Sequence, residues 1–269
     1  MNQIRPAAVA GAFYSSDAQI LNRDLDLLLA QASKTATPDP VPKALIVPHA
    51  GYLYSGPTAA LAFRRLTLGR GEITRVVLLG PAHRVAVRGL ALPHVQAFAT
   101  PLGQVRLDQE ACARLLDLKQ VVLSDASHAQ EHSLEVQLPF LQKVLGDFAL
   151  VPLVVGEASA LEVAQVLESV WGGTETLIVI SSDLSHYLPY AQAQRIDQHT
   201  CDMILNLQTG ISHEQACGGT SINGLLLAAK QHGLKPELLD LRNSGDTAGT
   251  PDKVVGYAAF AFMVKTHVH

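Results

Sequence analysis

Three histidines in this chain follow short apolar, β-branched runs. Ala44-Leu45-Ile46-Val47 leads into Pro48-His49, and Arg75-Val76-Val77-Leu78-Leu79 into Gly80-Pro81-Ala82-His83. Thr176-Leu177-Ile178-Val179-Ile180 leads into Ser181-Ser182-Asp183-Leu184-Ser185-His186-Tyr187. Runs of this length and composition read as buried strands. In α/β sheets, ligands bind outside the carboxyl ends of the strands. A neutral imidazole suits Zn, Cu and Fe, and a catalytic metal needs about three protein ligands plus an open position. One histidine on a loop is an ordinary polar surface residue. Three delivered in the same way point to a shared site.

Other residue types fit the same chemistry. Cys217 stands in Ala-Cys-Gly-Gly just before a helical pattern. A thiolate at a helix N-terminus has a lowered pKa, so Cys217 is a candidate further ligand or nucleophile. Cys112 and Cys201 fall inside helical patterns and read as small buried hydrophobes. In Glu131-His132-Ser133-Leu134-Glu135, His132 and Glu135 share a face at i, i+3, which suits a metal pair, a carboxylate orienting an imidazole, acid/base work or helix capping. Asp183 is a candidate to orient a histidine or cap a turn. Tyr52, Tyr54 and Tyr187 flank the histidines and are candidates to line a pocket. No glycine pattern matches a dinucleotide or P-loop fingerprint, so no nucleotide cofactor is expected.

These residues need a scaffold. With 269 residues, 48% hydrophobic and 16% charged, the chain can bury a sizeable core. The pattern predicts a helix from Ser15 or Ser16 to about Gln31, a loop over Thr35–Pro42, and a helix to about Leu66 with Pro57 in its first turn. It further predicts short strands at Leu90–Leu92 and Val105–Leu107, read as a hairpin, a helix capped by Asp108, and a strand at Val121–Leu123. A polar loop over Ala126–His132 then opens a helix over Ser133–Leu145. Next come a strand at Ala149–Val155, helices over Ala158–Val170, Tyr190–Leu207 and Ser221–His232, and closing strands at Leu238–Leu241 and Val254–Val264. Strands alternating with helices predict one α/β domain over residues 1–269, with a mostly parallel or mixed sheet and helices on both faces. A net charge of −4 with no basic stripe argues against nucleic acid as a partner. No apolar stretch reaches the roughly 20 residues that span a bilayer. The absence of a secretory signal and of CxxC spacing gives a cytoplasmic, reduced protein as the expectation.

Several motifs together resemble the Memo family. They are Val-Pro-His49-Ala-Gly-Tyr52-x-Tyr54-Ser-Gly, Leu-Gly-Pro81-Ala-His83, Glu131-His132-Ser-Leu-Glu135-x-Gln137-Leu-Pro-Phe, Ser-Ser-Asp183-Leu-Ser-His186-Tyr187 and Cys217-Gly. The opening Arg5-Pro6-x-x-Val-Ala-Gly-x-Phe-Tyr14 and the closing Val255-Gly256-Tyr257 also fit. The resemblance implies a single domain similar to class III extradiol (LigB-type) non-haem iron dioxygenases. It implies a metal, copper or iron with zinc as a third choice, at His49, His83 and Cys217, and His186 beside it. It also implies a functional link to a radical SAM protein, as for relatives called AmmeMemoRadiSam system protein B. A eukaryotic relative is described as an adaptor for phosphotyrosine peptides. Here Pro81-Ala82-His83 replaces the Pro-Ser-His of that pattern, and no arginine cluster is evident to receive phosphate.

The expectation is a copper- or iron-dependent redox enzyme. His49, His83 and Cys217 hold the metal, His186 serves as acid/base or as a fourth ligand, and His132, Glu135 and Asp183 support it. The rivals are a non-catalytic module that binds a peptide or partner protein, and a metal chaperone. The substrate, small molecule or peptide, is not legible in the sequence.

Overall fold

The continuous apolar runs that bracket the histidines become neighbouring strands. The computed structural model of the chain describes residues 3–32 and 40–264. Its elements, in chain order, are β1 (Ile4–Arg5), α1 (Ala18–Ala32), β2 (Ala44–Val47), α2 (Tyr52–Arg64), β3 (Arg75–Pro81), β4 (Leu90–Leu92), β5 (Ala97–Thr100), β6 (Gly103–Arg106), α3 (Gln109–Leu115) and β7 (Val121–Leu123). They continue with α4 (Asp125–Ala129), α5 (Leu138–Leu145), β8 (Ala149–Val155), α6 (Ala160–Ser169), β9 (Thr176–Ser181), β10 (His186–Leu188), α7 (Tyr190–Leu205), α8 (Gly219–Gln231), β11 (Lys235–Asn243) and β12 (Val254–Met263).

The main sheet runs β10-β12-β2-β9-β3-β8-β4-β7, with β11 on the other side of β12. Its centre, β2-β9-β3-β8, is parallel, while β12 and β4 join it antiparallel. The sheet is therefore mixed, and the domain is α/β. The pleat sends alternate residues to opposite faces. Leu45, Val47, Val76, Leu78, Leu177 and Val179 pack in one core with α1, α2 and α5. Ala44, Ile46, Val77, Leu79, Ile178 and Ile180 pack in the other with α6, α7 and α8. Burial on both faces explains why these strands read as unbroken apolar runs. Each fully buried Val, Leu or Ile contributes roughly 1.5–3 kcal/mol.

The structure departs from the sequence reading in four places. Leu90–Leu92 and Val105–Leu107 form no hairpin with each other. β4 lies in the main sheet between β8 and β7, while β6 pairs with β5 in a separate three-stranded sheet with β1. α2 starts at Tyr52, so Pro57 lies inside it. The earlier start is possible because the Phe13 carbonyl accepts the otherwise unpartnered Tyr52 N–H. The loop before His132 contains α4, capped by the Ser124 hydroxyl on Ser127 N–H. The helix read over Ser133–Leu145 is a 3-10 turn, Glu135–Gln137, followed by α5. Pro139 in the first turn of α5 has no N–H to continue a ladder from upstream. Most of the loop read over Thr35–Pro42 lies outside the described residues. No helix among the described residues is long and apolar enough to cross a membrane.

α7 is tied to the strand ends by one buried carboxyl. Asp197 Oδ1 accepts the Ser185 N–H at 3.0 Å. Burial raises its pKa from 3.8 to about 6, against the pull of the Ser185 hydrogen bond. Because the folded-state value lies above the unfolded one, the stability this group contributes is complete below pH ~4 and is lost as pH rises through ~6. About 3 kcal/mol is the ceiling on that loss. Asp197→Asn keeps the acceptor and removes the charge. It should be more stable than wild type at pH 7, by about 2 kcal/mol, and equal to it near pH 4, as read by urea unfolding at both values.

Candidate metal centre

β2, β9 and β3 lie side by side and parallel, so their carboxyl ends open on one edge of the sheet. His49 follows β2 and His83 follows β3. His132 arrives from the segment between α4 and α5. That segment packs directly on β3 because Gly80 lacks a side chain; a Cβ there would stand 2.7 Å from Ser133 Oγ. The Ser133 hydroxyl donates to the Pro81 carbonyl at 3.0 Å. The three imidazoles meet with ring centres 5.1 Å (His49–His83), 5.4 Å (His49–His132) and 4.7 Å (His83–His132) apart. One ring nitrogen from each lies within 4.8 Å of the others, a spacing that could hold a metal ion.

Hydrogen bonds fix the Nδ1 side of His83 and of His49, while His132 Nδ1 has no hydrogen-bond partner among the described residues. Glu131 accepts the His83 N–H at 2.6 Å and faces His83 Nδ1 at 2.9 Å. It also accepts the His132 and Ser133 N–H groups at 3.0 and 2.9 Å, and lies 3.3 Å from His132 Nδ1. Burial alone would raise the Glu131 pKa. The hydrogen bonds from the His83 ring, the Ser133 N–H and the His83 N–H outweigh it and hold the pKa at about 2. An ionised carboxylate only accepts, so His83 donates through Nδ1 and Nε2 is the nitrogen left to face its neighbours.

For His49 the argument runs through a hydroxyl. Ser181 Oγ donates its one proton to the Ser133 carbonyl at 2.6 Å. It accepts from Gln137 Nε2 at 2.9 Å, and Gln137 Nε2 also donates to the Pro48 carbonyl. With that proton committed, the 2.9 Å contact to His49 Nδ1 is donated by the ring. His49 Nε2 is therefore an acceptor, and the Cys217 thiol is placed to donate to it. Burial, then the neighbouring His83, lowers the His49 pKa to about 3; burial, then His49, lowers that of His132 to about 4. Imidazoles held neutral, or anchored through one nitrogen so that the other is presented, are what a metal requires. The residues fit one.

Cys217 is not within that spacing, and His132 takes the third place expected for it. Its Sγ lies 3.3 Å from His49 Nε2. Burial, then Asp183, pushes the thiol pKa up to about 12, opposite to the lowering expected for a helix start. His186 Nδ1 donates to the Leu184 carbonyl at 2.8 Å, which leaves Nε2 as the ring nitrogen without a protein partner. Asp183 accepts the His49 N–H at 2.7 Å, so it positions the His49 backbone and not an imidazole ring.

Glu135, read as catalytic, is taken out of the site by its own partners. Its oxygens accept from Arg5 Nη1 (2.6 Å), the Ala8 and Val9 N–H groups, and the Tyr14 hydroxyl. It latches the N-terminal segment, and Phe13 of that segment sits against His132 with centroids 4.9 Å apart. Tyr52 is core, its hydroxyl donating to the Val136 carbonyl. Tyr187 lines a cavity of about 800 Å³ together with His83, His186 and Cys217; neither Tyr52 nor Tyr54 does. Sequence reasoning missed the roles of Glu131, Ser181 and Gln137. Glu131 was findable as the carboxylate beside His132, and Gln137 as a polar residue inside an apolar run.

A mixed α/β sheet with a histidine cluster at the carboxyl ends of its parallel strands defines the class. The fold is similar to that of an uncharacterized protein from Escherichia coli K12 known from a crystal structure. The TM-score is 0.54 at 13% identity, over 80% of this chain and 98% of that one. The chain belongs to the Memo family: the family's model, described as Memo-like protein, matches residues 5–261. A MEMO1 family protein of Aquifex aeolicus is 35% identical over 273 residues, covering 97% of this chain and 100% of that protein. One from Methanococcoides burtonii is 36% identical over 272 residues, covering 95% and 98%.

Two substitutions separate support of the metal centre from support of the fold. Glu135→Gln leaves the buried Arg5 charge unpaired and should lower unfolding free energy by about 3–5 kcal/mol. Glu131→Gln should weaken binding of a cobalt(II) probe about tenfold to hundredfold by loosening His83 and His132. Optical titration of both variants reads the difference.

Proposed function

We propose that this protein is a metal-dependent redox enzyme, with iron or copper held by Nε2 of His49, His83 and His132. The observation that carries the reading is the convergence of three imidazoles, two of them held neutral by burial and two with Nδ1 anchored on a fixed oxygen. Cys217 stands close enough to His49 for its sulfur to join the same ion as a thiolate. A bound cation reverses the burial effect on a thiol. Imidazoles suit iron, copper or zinc, and a thiolate among them shifts the preference towards copper or zinc. A bound iron or copper ion would supply one-electron or dioxygen chemistry at its open side.

The chain's own residues do the rest. His186 presents a bare Nε2 to the cavity and can take a proton from a molecule bound there. Phe13 covers the His132 ring and keeps water from that side of the cluster. Asp183 fixes the turn that carries His49. Three cysteines without disulfide partners suit a reducing compartment, and we place the protein in the cytoplasm.

The test is elemental analysis of protein purified anaerobically without added metal. Wild type should carry iron or copper near one equivalent, and His132→Ala should lose it. Cys217→Ser should keep an ion with lower affinity for copper(I). No metal in wild type, and no uptake on titration, would end the metal reading and turn attention to partner binding.

A further inference from the structure

The cavity of about 800 Å³ beside the histidine cluster is lined by two chemically distinct groups of residues. One group is His83, His186 and Cys217. His83 turns Nδ1 to Glu131 and His186 turns Nδ1 to the Leu184 carbonyl, so Nε2 of His186 is the ring nitrogen left for a ligand. The other group comes from α7, which contributes Arg195 and His199. These lie four residues apart on one helix face. Neither has a hydrogen bond or ion pair among the described residues. Glu214, the one carboxylate on the wall, is turned to the Ser212 side chain, whose hydrogen bond lowers its pKa. His213 has both ring nitrogens engaged, by the Cys217 carbonyl and the Thr220 hydroxyl. Leu188, Ile196 and Tyr187 add apolar surface to the wall. Tyr187 holds φ at 58°, a left-handed conformation that costs a bulky residue about 1–3 kcal/mol and clusters at functional sites.

An unpaired guanidinium calls for an anion, best a carboxylate held by two N–H groups. An imidazole whose Nδ1 is held by a backbone carbonyl offers its Nε2 to a hydroxyl, which can donate or accept. We infer that the cavity binds a small organic acid with an apolar middle, its carboxylate on Arg195 and His199 and a hydroxyl at the far end on His186. The inference deepens the proposed function, because the hydroxyl end would lie against the metal cluster. It stands on residues that need no metal to be in place, so the two readings can fail separately.

The experiment uses the full chain, first stripped with a chelator and then reloaded with zinc ion. Three probes of one length are titrated by calorimetry: ω-hydroxyhexanoate, hexanoate and hexanediol. The hydroxy acid should bind about tenfold tighter than the diol, which lacks the anion, and several-fold tighter than hexanoate, which lacks the donor. Arg195→Ala should bring the hydroxy acid to the level of the diol, while Arg195→Lys keeps part of the preference. His186→Ala should erase only the preference over hexanoate. Arg195 and His199 are exposed, so an unchanged melting midpoint is expected to show that those variants fold. Equal binding of diol and hydroxy acid to wild type, an unaltered preference in Arg195→Ala, or no heat with any probe up to about 10 mM would overturn the inference. Discrimination in the stripped protein without zinc uptake would uphold it and end the metal reading alone.

Discussion

The candidate metal centre depends on one buried carboxylate. Glu131 spends its oxygens on the backbone of His83, His132 and Ser133 and on the His83 ring nitrogen. A carboxylate with this many donors stays ionised although it is almost wholly buried. It joins two segments that are remote in sequence, the loop after β3 and the turn before α5. It also orients the His83 ring. Without it, His83 and His132 would be two polar residues on separate loops.

The parallel centre of the sheet was legible because burial on both faces forces continuous apolar runs. The β8 strand was readable to the residue, and β2, β3 and β9 nearly so. The convergence of His49 and His83 followed from the rule that parallel strands deliver their ends to one edge. What was not legible came from long-range partners. The start of α2 is set by a carbonyl of Phe13, some forty positions upstream, and no local pattern announces it. Glu135 looked like a companion of His132 at helical spacing. Its backbone instead enters a 3-10 turn, and its oxygens are claimed by the N-terminal segment. His132 looked like a supporting group for the same reason: only the packing of Ser133 on Gly80 brings its ring to His49.

The N-terminal segment is therefore part of the site's architecture. Arg5 reaches the carbonyls of His128 and Glu131 as well as Glu135. One guanidinium thus braces both ends of the turn that carries His132. Phe13 then caps the His132 ring, and its carbonyl caps α2 directly after His49. The ion pair is buried on both sides, and such pairs add little net stability over an apolar substitute. Here its effect is geometric: it sets where the turn lies relative to the strand ends.

The charges around the cluster also favour a cation. Glu131 and Asp183 are both buried, and neither forms an ion pair with a lysine or arginine among the described residues. The imidazoles between them are held neutral by burial. Burial drives the Asp183 pKa up, and the N–H groups of His49 and Ala50 only partly oppose it. The ionised Glu131 beside these rings makes a site of negative potential in a medium that screens poorly. A proton on His132 or His49 would relieve it, but burial makes that costly. A metal ion among the three rings would relieve it without breaking the hydrogen bonds of His49 Nδ1 with Ser181 or of His83 Nδ1 with Glu131. It would also draw the proton from Cys217, whose thiol has no other reason to ionise there. The arrangement is thus complementary to a positive ion in charge as well as in ligand geometry.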